Sequence, residues 1–89
     1  MKANKVRVVG KVQGVYFRAS AKQQAMNLGV TGFVKNESDG SVVFEIEGPN
    51  EAVTNMVNWC KRAPGLARVS SVVVEETARR NFVSFDIKK

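Results

Sequence analysis

At 89 residues the chain can fill one modest hydrophobic core but not two, so a single domain spanning residues 1–89 is expected. Apolar residues make up 44% and charged residues 25%, a balance that excludes disorder, and no apolar run approaches the roughly 20 residues of a membrane helix. With no histidine and one cysteine, Cys60, an intrachain disulfide and a histidine-based catalytic triad are excluded and a transition-metal site is not expected, while a net charge of +6 points to anionic partners or to plain solubility.

The first expected strand is 5–12, KVRVVGKV, with Val6, Val8 and Val12 on one face and Arg7 and Lys11 on the other. A helix over about 17–28 follows from Phe17, Ala21, Ala25 and Leu28, with Gly29 placed to cap it. The second strand is about 30–36, VTGFVKN, and ESDG turns the chain into a third at 41–47, SVVFEIE. Gly48 ends that strand and Pro49 suits the first turn of a helix over about 50–62, where Val53, Met56, Val57 and Cys60 recur at helical spacing. Ala63, Pro64 and Gly65 are expected to stop it. Strand four is about 68–76, RVSSVVVEE, and strand five about 81–87, NFVSFDI.

The order β-α-β-β-α-β-β predicts an α+β fold: a ferredoxin-like two-layer sandwich, βαββαβ plus a fifth strand, with two helices on one face of a mostly antiparallel sheet. The alternating strands suit a sheet with water on its other face. The fifth strand adds at an edge, and the sequence leaves both edges open. In this topology strands one and two run parallel with strand three between them, so their C-terminal ends lie together. The 13–18 loop leaves strand one at that end and Asn36 closes strand two there, which makes Arg18 and Asn36 expected neighbours.

The loop GKVQGVYFRA, residues 10–19, contains no acid and runs directly into a helix. Inward-turned N–H groups in such a loop form an anion nest, and the helix start adds free N–H groups and a positive dipole end. Arg18 adds a planar cation able to grip phosphate oxygens in bidentate fashion. The plainer reading is a glycine turn with a surface arginine. The glycine-lysine-serine/threonine ending of a Walker loop is missing. Asn36 in isolation reads as a turn former; beside a phosphate its amide can orient a water.

Two stretches carry a family resemblance. VVGKVQGVYFR resembles the first signature of the acylphosphatases and GFVKNESDGSVVFEIEG, residues 32–48, the second, in the right order and spacing. AMNLG, the GP before helix two, WCKRAPGLARV and the closing FDI extend the resemblance over the whole chain. It departs from the family pattern at Tyr16, at Val43 and in the FDIKK ending, none of which touches Arg18 or Asn36.

The resemblance implies hydrolysis of the carboxyl–phosphate bond of an acyl phosphate to carboxylate and inorganic phosphate. Carried over residue by residue, Arg18 is the phosphate-binding arginine, the backbone amides of Gly14, Val15, Tyr16, Phe17 and Arg18 cradle the phosphate, and Asn36 positions the attacking water. It also implies no metal, no cofactor and no covalent intermediate, with inorganic phosphate or sulfate as the site anion. The missing histidine fits: an acyl phosphate is already activated, so positioning and charge stabilisation can carry the reaction. A cytoplasmic monomer acting on a small molecule, with neither nucleic acid nor membrane as partner, is expected; the N-terminus has no signal-peptide pattern.

The alternative is an RRM-like basic nucleic-acid-binding module, which shares the βαββαβ order. That module needs exposed aromatics on its central strands. Here Phe44 points inward, and Val43, Glu45 and Glu47 are expected outward, where two carboxylates repel a phosphate backbone. A catalytically silent interaction domain is a third reading. Glu37 and Asp39 read as solvated turn residues, Cys60 as an inert core thiol, Trp59 as packing at the margin of helix two, and Arg79–Arg80 and Lys88–Lys89 as solvated charge.

Overall fold

The computed structural model describes residues 1–62 and 65–88. The elements run β1 (Lys2–Lys11), α1 (Phe17–Leu28), β2 (Thr31–Asn36), β3 (Val42–Gly48), α2 (Asn50–Arg62), β4 (Arg68–Glu76) and β5 (Phe85–Lys88). Of the expected stop to α2, Ala63 and Pro64 lie outside the described residues. The end of α1 is fixed by two hydrogen bonds, Gly29 N–H to the Met26 carbonyl at 3.3 Å and Val30 N–H to the Ala25 carbonyl at 2.9 Å, the pattern that satisfies the last carbonyls of a helix and turns the chain out of it.

The sheet order is β4-β1-β3-β2-β5. β1 pairs antiparallel with β3 and β4, and β3 antiparallel with β2. β5 adds beside β2 and parallel to it, which decides the edge that the sequence left open. The arrangement is the expected α+β ferredoxin-like one: two helices against a mixed sheet of five strands.

The core lies between the helices and the sheet. Val6, Val8, Val34, Val42, Phe44 and Ile46 supply the sheet side, Phe17, Ala21 and Ala25 the α1 stripe, and Val53, Met56 and Cys60 the α2 stripe. Phe17 is its hinge point: it stands edge-on to Phe44 at 6.0 Å and stacks on Trp59 at 5.3 Å. Trp59 is therefore a core residue, only 7% exposed, rather than a marginal one; its ring reaches past its own apolar stripe to the start of α1. Burial pushes the Cys60 thiol up to about 12, which leaves it protonated and unreactive.

The outer sheet face differs from expectation. Val43 and Glu47 are buried there, at 2% and 3% exposure, and over Glu47 the chain after β4 folds back across the sheet. The Glu47 carboxylate accepts hydrogen bonds from the backbone N–H groups of Arg80, Asn81 (3.2 Å) and Phe82 (3.0 Å). Phe82 packs edge-on to Phe33 at 5.9 Å, and Arg80 Nε lies 3.3 Å from Glu45 Oε1. A carboxylate with backbone partners leaves no mark in a sequence, so alternation alone reads it as solvated. Arg80, expected as solvated charge, is the cation of this patch. Phe44 is fully buried on the helix side, and neither β1 nor β3 displays an aromatic outward.

Candidate active site

Between β1 and α1 the backbone twice enters the left-handed region, at Gly14 (φ 72°) and at Tyr16 (φ 61°, ψ 18°). Glycine does this freely, whereas a tyrosine does it at a cost of about 1–2 kcal/mol. Packing of the Tyr16 side chain does not offset that cost, since the residue is 84% exposed. The strain is local to the point where the loop becomes a helix, and strain of this kind concentrates at ligand clamps. Tyr16 starts α1 without a side-chain cap, and the first turn contains no acid. Among the described residues, the N–H groups of Gly14, Val15, Tyr16, Phe17 and Arg18 donate to no protein acceptor. The result is a row of free donors at the positive end of a helix whose first turn carries no acid.

A pocket of about 360 Å³ opens at this loop, lined by Gly14, Tyr16, Phe17 and Arg18 with Ile87 across from them. The Arg18 guanidinium is held from the far wall, Nη1 donating to the Lys88 carbonyl at 3.1 Å. Lys88 itself is paired with Lys35, the residue before Asn36, and its ammonium sits 4.2 Å from the Phe33 ring centroid. β5 thereby brings Arg18 to the end of β2 that carries Asn36. Asn36 is not among the residues lining the pocket. It shares the helix-side face of β2 with Val34 and pairs with Val42. Its Oδ1 is buried without a hydrogen-bond partner among the described residues, a costly state for an amide unless something else is to be bound there.

Gln13 joins the candidate site as a residue that spacing and resemblance did not bring forward. Its Nε2 donates to the carbonyls of Glu37 at 2.8 Å and Ser41 at 2.9 Å. The 37–41 turn follows Asn36 directly, so one amide ties the loop to the turn at the end of β2. The turn is closed by Glu37 N–H to the Ser41 carbonyl at 2.9 Å and braced by Arg7, which donates to Ser41 Oγ at 2.8 Å. Glu37 is within 4 Å of both Arg7 (3.9 Å) and Lys35 (3.8 Å). The Ser41 hydroxyl and amide donate to Asp39 and hold its carboxyl below the usual range. Asp39 is thus a poor proton acceptor and belongs to the turn's own scaffold. Gln13→Ala is expected to weaken binding of inorganic phosphate to the loop several-fold, seen in NMR titration. It should also lower unfolding free energy by about 1 kcal/mol for two part-buried bonds lost, with the circular dichroism spectrum retained.

No helix of the described residues is long and apolar enough to cross a membrane, and no cluster of three or more potential metal-ligating side chains occurs among them.

The acylphosphatase family model matches residues 4–87. The chain is 51% identical over 70 residues to an acylphosphatase of Pelotomaculum thermopropionicum, covering 79% of this chain and 76% of that one. It is 49% identical over 78 residues to an acylphosphatase of Methylococcus capsulatus, covering 88% and 85%. The crystal structure of acylphosphatase from Bacillus subtilis superposes with a TM-score of 0.96 at 31% identity, over 100% of both chains.

Proposed function

The chain belongs to the acylphosphatase family and is an enzyme that acts on a small-molecule acyl phosphate, and on that premise we propose how its residues divide the work. The phosphoryl group sits on the amides of Gly14, Val15, Tyr16, Phe17 and Arg18, and the Arg18 guanidinium grips two of its oxygens. The Asn36 side-chain oxygen accepts a hydrogen bond from a water and aims the water's oxygen at phosphorus. As the new P–O bond forms, the bond from phosphorus to the acyl oxygen breaks and the carboxylate leaves with its electron pair. A phosphate oxygen takes the water's proton. Negative charge gathers on the equatorial phosphate oxygens, where fixed N–H dipoles and one cation stabilise it without reorganising. No acid or base of the protein is needed, because the leaving carboxylate is stable as it departs.

The observation that carries this reading is the buried, unpartnered Asn36 Oδ1 at the sheet end shared with a loop of free amides and Arg18. Inorganic phosphate or sulfate is the anion expected to rest in the loop. The working form is a cytoplasmic monomer, a single domain over residues 1–89 that needs neither metal nor cofactor.

Benzoyl phosphate hydrolysis, followed by ultraviolet absorbance on variants matched by circular dichroism, tests the division of roles. Wild type should turn over without added metal. Asn36→Ala should lower kcat by about 10²–10³ while leaving KM and phosphate affinity nearly unchanged, since Asn36 touches water and not phosphate. A wild-type kcat in Asn36→Ala would sink the water-positioning role, and no turnover by folded wild type would sink the mechanism as a whole.

A further inference from the structure

A second pocket, about 480 Å³, is lined by Lys22, Met26 and Val30 on one side and by Ser84, Phe85 and Asp86 on the other. It neighbours the proposed phosphate pocket: α1 and β5 contribute to the walls of both, and the adjacent β5 residues Ile87 and Asp86 line one and the other. On α1 the wall runs Arg18, Lys22, Met26, one residue per turn, so each step advances about 6 Å. On β5 it runs Ile87, Asp86, Phe85, in the opposite direction along the same groove. Ile87 and Phe85 share the helix-side face of β5, since they pair with Val34 and Gly32. The groove therefore starts at Arg18 and Ile87 and ends beside Gly29 and Ser84.

Two of its apolar side chains are left exposed among the described residues, Met26 at 61% and Ile87 at 40%, while Val30 and Phe85 are buried. Exposed apolar side chains aligned from the mouth of a reaction pocket have a natural occupant, the part of the substrate that cannot enter that pocket. A phosphoryl group held on the loop must send its acyl group out through the mouth, past Ile87. Lys22 and Asp86, the latter accepting from the Ser84 hydroxyl at 2.9 Å, are the charged side chains of its lining, and Met26, Val30 and Phe85 supply the apolar ones. Octanoyl phosphate, extended, measures roughly 11 Å from phosphorus to its last carbon, close to the two steps of about 6 Å that separate Arg18 from Met26, so its chain runs past Lys22 to the Met26 side chain.

We infer that the groove between α1 and β5 is an acyl subsite, and that the enzyme favours acyl phosphates with an unbranched apolar chain of about six to eight carbons over acetyl phosphate. This rests on the phosphate position argued under the proposed function. The subsite binds ground state and transition state alike, so its contribution appears in KM rather than in kcat.

Steady-state kinetics on acetyl, butanoyl, hexanoyl and octanoyl phosphate test it, for wild type, Met26→Glu and Met26→Leu. Partly covered methylenes contribute up to about twofold each, so kcat/KM should rise at least about tenfold from acetyl to octanoyl phosphate. Met26→Glu, at an exposed position, should raise KM for octanoyl phosphate about fivefold or more and leave acetyl phosphate untouched; Met26→Leu should behave as wild type. A flat chain-length series in an active wild type overturns the subsite alone. So does a Met26→Glu variant that slows both substrates equally. Failure of wild type to hydrolyse any of the four overturns the subsite together with the phosphate position on which it rests.

Discussion

Arg18→Ala is expected to cut kcat/KM for benzoyl phosphate by about 10³ or more, the range lost when an arginine is withdrawn from a phosphoryl-transfer site. The argument is electrostatic. The loop amides and the α1 dipole carry only partial charges, and Arg18 is the one full cation lining the phosphate pocket among the described residues. Its guanidinium is pre-aimed by the 3.1 Å bond to the Lys88 carbonyl, which uses one N–H and leaves the rest of the fork for oxygen. Because that bond is solvent-exposed, its loss should hardly move the unfolding midpoint. The variant separates from Asn36→Ala in a second measurement: Arg18→Ala should abolish detectable binding of inorganic phosphate, where Asn36→Ala keeps it. Arg18→Lys should recover only a small part of the rate, since a point charge on a flexible stem replaces a planar bidentate donor. Retained phosphate binding in folded Arg18→Ala would move the phosphate away from this loop.

Periodicity makes α1 and α2 legible to the residue, because each has a run of core positions bounded by a punctuating residue, Gly29 after α1 and Pro49 before α2; β4 also falls at the expected 68–76, although most of its residues are exposed. β5 is legible in kind but not in length. The run 81–87 alternates like a strand, yet only Phe85–Lys88 pair, since the amides of 81 and 82 are already taken by Glu47. β1 begins at Lys2 rather than Lys5, because β3 and β4 are long enough to pair with Ala3 and Asn4. For the candidate site, Arg18 and Asn36 come forward from the sequence because topology alone brings the ends of β1 and β2 together. Gln13 cannot: its partners are two carbonyls, which every residue has. Nor can the left-handed turn at Tyr16, since tyrosine is no former of that conformation. What a sequence shows well is spacing, and what it hides is side chains spent on backbone.

Gly32→Ala is expected to be severely destabilising. Gly32 has φ 137°, and a Cβ built there would overlap the Glu45 carbonyl oxygen and lie 2.8 Å from its carbon. Both atoms are backbone of the neighbouring strand, so no rotamer change relieves the clash; β2 and β3 must separate. They cannot do so freely, because Gly32 also donates its N–H to the Ser84 carbonyl at 2.9 Å on the opposite side. A clash that prises one ladder strains the other. The cost is about 4 kcal/mol or more, out of a total stability of about 5–15 kcal/mol for a domain, and for a chain of this size it corresponds to a fall in Tm of roughly 15–30 °C. Gly40→Ala is the control: its backbone is also left-handed, at φ 91°, but nothing lies within 4 Å of the added carbon, so it should lose only about 1 kcal/mol. Calorimetry on the two variants decides the matter, and a Gly32→Ala midpoint within a few degrees of Gly40→Ala would refute the close-approach account. The site is affected by the same strain, since Asn36 closes the strand that Gly32 nearly opens. Any Gly32→Ala protein that still folds should lose kcat in the manner of Asn36→Ala while holding phosphate as wild type does.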